Sequence, residues 1–142
     1  MKTALIPYLN FNGIDTATAM KFYQGIFGGE LKMSTFEESG MAKNDTEKDY
    51  IMHAELKTED FSFMASSGQP GIPIKFGDSV SLSLIGTDEA GLTEKFNKLS
   101  VGGEITMKLE KQFWGDIFGM LTDKFGIQWM VNITAEEGEK NK

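Results

Sequence analysis

The chain repeats itself, and the repeat constrains its fold more than any other feature. Residues 9–31 read LNFNGIDTATAMKFYQGIFGGEL and residues 83–105 read SLIGTDEAGLTEKFNKLSVGGEI, at an offset of 74. Lys21-Phe22 falls on Lys95-Phe96, and Gly28-Gly29-Glu30 falls on Gly102-Gly103-Glu104. In both copies an extended segment leads through a polar turn into a helix, and a Gly-Gly pair stops that helix. Self-similarity at a fixed offset marks a duplicated structural unit.

The two helices carry their own punctuation. Asp15 or Thr16 is the expected N-cap of the first, and Ala19, Phe22, Tyr23, Ile26 and Phe27 form one apolar stripe. Gly28 supplies the left-handed residue that ends it. Asp88 is the expected cap of the second, with Leu92, Phe96 and Leu99 on one face. The rest alternates like strands, over 30–37, 49–58 and 61–65, then 79–86, 104–112, 117–122 and 127–133. The polar segment 37–49, with Gly40 and Asn44, reads as a mobile loop or as disordered, Ser66–Pro73 as a linker and Asp123–Gly126 as a hairpin turn. The fold class is therefore α+β, with two βαβββ repeats over about 3–66 and 78–133 in one domain, and a charged, frayed tail over 134–142.

Composition removes whole classes of function. With 142 residues the chain can bury a core without disulfides. It has no cysteine, so disulfides, thiolate zinc sites, iron–sulfur clusters and cysteine nucleophiles are excluded. Its one histidine, His53, rules out a multi-histidine metal site within one subunit. A net charge of -7 and no arginine argue against nucleic acid and against tight recognition of a phosphate or phosphonate dianion. The start, Met1 to Pro7, is too short for a signal peptide, and no apolar run approaches a membrane span. A cytoplasmic protein without membrane partners is expected.

Strand parity separates two faces. One carries Leu5, Pro7, Leu9 and Phe11, then Met52, Ala54 and Leu56, then Val80, Leu82 and Leu84, then Trp129, Val131 and Ile133. It is apolar throughout and should pack on the helices. The opposite face carries Ile6, Tyr8 and Asn10, then Ile51, His53 and Glu55, then Ser81 and Ser83, then Gln128, Met130 and Asn132. That mixture of hydroxyl, amide, imidazole, carboxylate and apolar groups suits a lining for a small organic molecule. The competing reading is a wet surface or a subunit interface.

Five segments resemble one family: PYLNFNG (7–13), MKFYQGIFGGEL (20–31), MHAEL (52–56), SLSL (81–84) and KQFWGDIFGMLTDKFGIQWMVN (111–132). Together they are similar to the vicinal oxygen chelate superfamily (glyoxalase I, bleomycin-resistance proteins, extradiol dioxygenases), and within it to the PhnB-like group. The resemblance covers roughly residues 3–133. It implies a cupped mixed sheet with helices packed outside, ligand in the cup, and a homodimer. It also brings a label often given to this group, demethylubiquinone methyltransferase. The sequence lacks the Gly-rich loop in a seven-strand alternating β/α pattern that such an enzyme would show.

In metal-dependent relatives, four strand positions supply His, Glu or Gln ligands. The resemblance places these on Ile6, Glu55, Ser81 and Met130, of which only Glu55 is a competent ligand. No cofactor is therefore expected; a divalent metal on His53 and Glu55 is the alternative. Expected ligand-binding residues are Tyr8, Asn10, His53, Glu55, Ser81, Ser83, Trp114, Gln128 and Met130. His53 and Glu55 double as a candidate proton-transfer pair. Trp114 is read as an aromatic wall or as packing. Gly115 and Gly119 suggest close backbone approach or a bulge. Three functions compete: a small-molecule-binding protein without an intact catalytic metal; a metal-dependent lyase, isomerase or dioxygenase; and an interaction module.

Overall fold

A glycine pair follows each helix and plays similar parts in both halves, although Gly28 caps α1 while Val101 caps α2. The computed structural model describes residues 3–135; the tail beyond Ala135 lies outside the described residues. Gly28 and Gly102 have φ of 73° and 77°, a region that disfavours side chains. A Cβ on Gly29 would strike the backbone of Lys57 and Thr58, and one on Gly103 the backbone of Thr122 and Asp123. The first glycine therefore reverses the chain and the second lets it pass against a neighbouring strand end. Neither position accepts a larger residue without backbone movement.

The chain forms two compact units, Met1–Lys75 and Phe76–Lys142. The first contains β1 (Tyr8–Asn10), α1 (Asp15–Phe27), β2 (Glu30–Thr35), β3 (Ile51–Lys57) and β4 (Ser62–Ser66). Its sheet has the order β1-β4-β3-β2, with β1 and β4 parallel and the other neighbours antiparallel. The second contains β5 (Leu82–Gly86), α2 (Glu89–Ser100), β6 (Glu104–Lys111), β7 (Ile117–Thr122) and β8 (Gln128–Ile133). Its order, β5-β8-β7-β6, reproduces the first strand for strand. The βαβββ repeat is thus an α+β fold of two like modules.

In the first unit, Ala19, Met20 and Tyr23 of α1 are buried with Leu9, Ala54, Leu56, Phe63 and Ala65 of the sheet. Tyr23 and Phe27 meet Phe63 edge-on, at ring distances of 5.6 and 6.4 Å. Burying side chains of this size contributes about 1.5–3 kcal/mol each. In the second unit, Phe96 and Leu99 of α2 are buried with Leu121, Trp129, Val131 and Ile133.

Several expectations need correction. Ile14, not Asp15 or Thr16, occupies the N-cap of α1, and it makes no side-chain cap. Thr16 is instead fully buried, bonded at 2.9 Å to the Ser67 hydroxyl. Ser67 also accepts from Ile51 N–H and donates to the Gly13 carbonyl, so it ties β3 and the start of α1 together. Asp88 does cap α2, accepting from Gly91 N–H at 3.1 Å. Leu5 and Val80, assigned to the apolar face, are 100% and 73% exposed, because β1 and β5 begin after them. Ile51 and Met52 exchange roles, at 2% and 40% exposure. The cause is a register shift: Thr35 pairs with Ile51 but Ser34 pairs with His53, leaving Met52 unpaired. The segment 37–49 is built of hydrogen-bonded turns, among them Glu37 N–H to the Lys48 carbonyl and Met41 N–H to the Phe36 carbonyl.

Candidate functional site: the polar sheet faces

Cross-strand partners share a face, so the register decides which side chains keep company. On the first sheet one row reads Tyr8, Met64, Glu55 and Lys32. Beside it lie Asn10 opposite Ser66 and His53 opposite Ser34. The expected residues Tyr8, Asn10, His53 and Glu55 are therefore on one face, opposite the buried one. Tyr8, Asn10 and His53 are exposed and Glu55 is half-buried.

His53 reaches across β4 to Tyr8. The phenol oxygen lies 3.4 Å from Nδ1, and the rings are tilted with centroids 6.0 Å apart. A neutral imidazole accepts the phenol proton there; the other tautomer donates to the phenol oxygen. The Ser66 hydroxyl donates to Asn10 Oδ1 at 3.5 Å, and Lys32 lies 3.7 Å from Glu30. Reading the strands of β1 and β3 alone missed Lys32, Ser34 and Ser66. Extending the same parity to β2 and β4 would have found them.

On the second sheet the rows are Gln128 with Thr122 and Glu104; Ser83 with Met130, Met120 and Met107; and Ile85 with Asn132, Phe118 and Glu110. Ser83, Gln128 and Met130 thus share a face as expected, while Ser81 lies just outside β5. Thr122 donates to Gln128 Oε1 at 3.1 Å, and Asn132 donates to Asp116 Oδ2 at 3.1 Å. Trp114 sits in the turn between β6 and β7, half exposed, its ring 6.1 Å from that of Phe118. Phe113 beside it is 97% exposed. Gly115 serves this turn with φ of 101°, and Gly119 lies where a Cβ would come within 2.9 Å of Leu109 Cα. The close approach expected at Gly119 holds, whereas Gly115 lies in the turn, outside the strands, with open space where a Cβ would stand.

The donor set does not fit a divalent catalytic ion. Among the described residues no group of three or more His, Cys, Asp or Glu side chains is placed to hold a metal. Of the four positions implied by metal-dependent relatives, Ile6 and Ser81 lie outside the strands, and neither Ile6 nor Met130 offers a hard donor. Among the described residues, no helix is long and apolar enough to cross a membrane.

This geometry agrees with comparisons to known proteins. The family model described as 3-demethylubiquinone-9 3-methyltransferase matches residues 3–132. A Pseudomonas aeruginosa protein of solved structure, PA1353, is 36% identical, covering 95% of this chain and 100% of its own, with a TM-score of 0.80. The solved PhnB protein of Bacillus cereus is 25% identical over 93% of this chain and 100% of its own, with a TM-score of 0.76. Escherichia coli YjdN is 31% identical over 94% of this chain and 97% of its own length. The two-module fold recurs in a glyoxalase/bleomycin resistance protein from Albidiferax ferrireducens at 12% identity, over 92% and 99% of the two chains, with a TM-score of 0.59. The chain belongs to the PhnB-like family that this family model describes, and it shares its fold with a glyoxalase/bleomycin resistance protein. The methyltransferase wording is the family model's description, and the described residues form two four-stranded sheets rather than an alternating β/α array.

Proposed function

We propose that the protein binds a small organic ligand on its polar sheet faces and does so without an intact catalytic metal centre. One observation carries this reading: Tyr8, His53, Glu55 and Asn10 stand together on an open sheet face whose reverse side is the core. A phenol, an imidazole, a carboxylate and an amide give a ligand donors and acceptors of several kinds. Ser83, Gln128, Met130 and Trp114 supply a second set on the other sheet. A single imidazole and carboxylate are too few for a closed or catalytic divalent site. A cytoplasmic homodimer belongs to the same proposal, on the strength of the family resemblance, and light scattering on the purified protein checks its mass.

A thermal-shift screen of small organic compounds tests the central reading. Binders should stabilise the wild type, whereas His53→Ala and Glu55→Gln should weaken binding about tenfold. Both side chains lie on the open face, so stability itself should change by only about 0.5 kcal/mol. Large destabilisation with unchanged binding would assign the pair a structural role. Stoichiometric zinc, nickel, iron or manganese retained through purification would favour the metal-dependent lyase, isomerase or dioxygenase instead.

A further inference from the structure

The second sheet carries a row of thioethers of which the ligand reading uses only Met130. Met107 on β6, Met120 on β7 and Met130 on β8 are successive cross-strand partners, so three of the nine methionines stand side by side on one face. Neighbouring strands lie about 4.7–4.9 Å apart. A methionine side chain has three rotatable bonds, enough for the sulfurs of adjacent positions to converge on a common point above the middle strand. The row is accessible: Met107 is 42% exposed, and Met120 and Met130 are half-buried. The carboxylate-bearing rows of Glu104 and Glu110 flank it on either side, and no lysine appears in these three rows.

We propose that Met107, Met120 and Met130 form a site for a soft monovalent cation of the Cu(I) or Ag(I) class. Thioethers are soft, uncharged donors that select such ions over zinc, magnesium or calcium. The flanking carboxylates raise the local concentration of a cation and repel anions. The half-exposed Trp114 ring, packed on Phe118 one row away, adds a π-face that attracts positive charge. Register shifts on both sides of Met107 isolate it as the residue of that stretch of β6 paired with Met120. This inference is independent of the organic-ligand reading, although Met130 serves both.

The test uses Ag(I), which needs no redox control, in chloride-free buffer with the full chain labelled at the methionine methyl carbons. One equivalent of Ag(I) should shift the Met107, Met120 and Met130 methyl signals and leave those of Met20, Met33 and Met64 in place. Met120→Leu conserves volume and should keep the fold, confirmed by the unfolding curve without metal. It should weaken Ag(I) binding about tenfold or more. A Met64→Leu variant on the first sheet should bind as the wild type does. Equal affinity in a variant with all three positions changed to Leu, or shifts spread over every methionine, would overturn the site.

Discussion

Asp123 anchors the β7–β8 hairpin, and replacing it should be among the most damaging single changes in the second unit. Its carboxylate is 3% exposed. Oδ1 accepts from Phe125 N–H at 2.8 Å and Ile127 N–H at 3.1 Å, and Oδ2 accepts from the Trp129 indole at 2.8 Å. Hydrogen bonds to a charged group contribute about 1.5–3 kcal/mol each, but the contributions do not add in full. In Asp123→Ala the two half-buried backbone N–H groups can recruit water at a loss of about 1 kcal/mol each. The indole N–H of Trp129, itself only 2% exposed, cannot. Losing this acceptor costs about 1–3 kcal/mol more, for a total of about 3–5 kcal/mol. Asp123→Asn keeps the acceptor for the turn but sets an amide N–H₂ against the indole N–H, and should cost about 2–3 kcal/mol. Urea unfolding followed by tryptophan fluorescence measures both. A cycle with Trp129→Phe should return a coupling of about 1.5–3 kcal/mol. A loss below about 1 kcal/mol for Asp123→Ala, or zero coupling, would refute the assignment of the anchor to this carboxylate.

Gly119→Ala should destabilise by about 1–3 kcal/mol, since the new methyl meets Leu109 backbone and the Phe96 ring at 2.9 Å; a neutral result in thermal unfolding would mean that β6 yields freely. Glu38 should titrate below the usual carboxylate range, because Thr35 N–H and the Thr35 hydroxyl favour its ionised form. A depressed folded pKa contributes stability that is present above the unfolded value and lost as pH falls through the folded one. NMR titration of the Glu38 side chain should show that depression, and Thr35→Ala should relieve only the hydroxyl's smaller part of it, because alanine keeps the backbone N–H; a Glu38 midpoint at the ordinary carboxylate value in the wild type would contradict the cause.

The repeat was legible because a duplicated module must repeat its backbone necessities. Gly28-Gly29 and Gly102-Gly103 perform similar tasks, and no other residue type can perform them without strain. The polar faces were legible for a similar reason: alternation is a local property, and Tyr8, His53 and Glu55 fall together by counting in twos once the strands are paired. What escaped is what pairing itself creates. The bulge that exchanges Ile51 for Met52 exists only because Ser34 and Thr35 pair with residues two apart on β3. The burial of Thr16 follows from Ser67, which comes 51 residues later in the chain and was read as linker. The methionine row has the same origin: Met107, Met120 and Met130 show no spacing that singles them out, and only the register of three antiparallel strands sets them side by side. Chemistry built along one strand can be read from sequence, whereas chemistry built across strands needs the register. The pairing of His53 with Glu55, two residues apart on β3, belongs to the first kind. The thioether row belongs to the second, and it points to a soft ion on a different sheet.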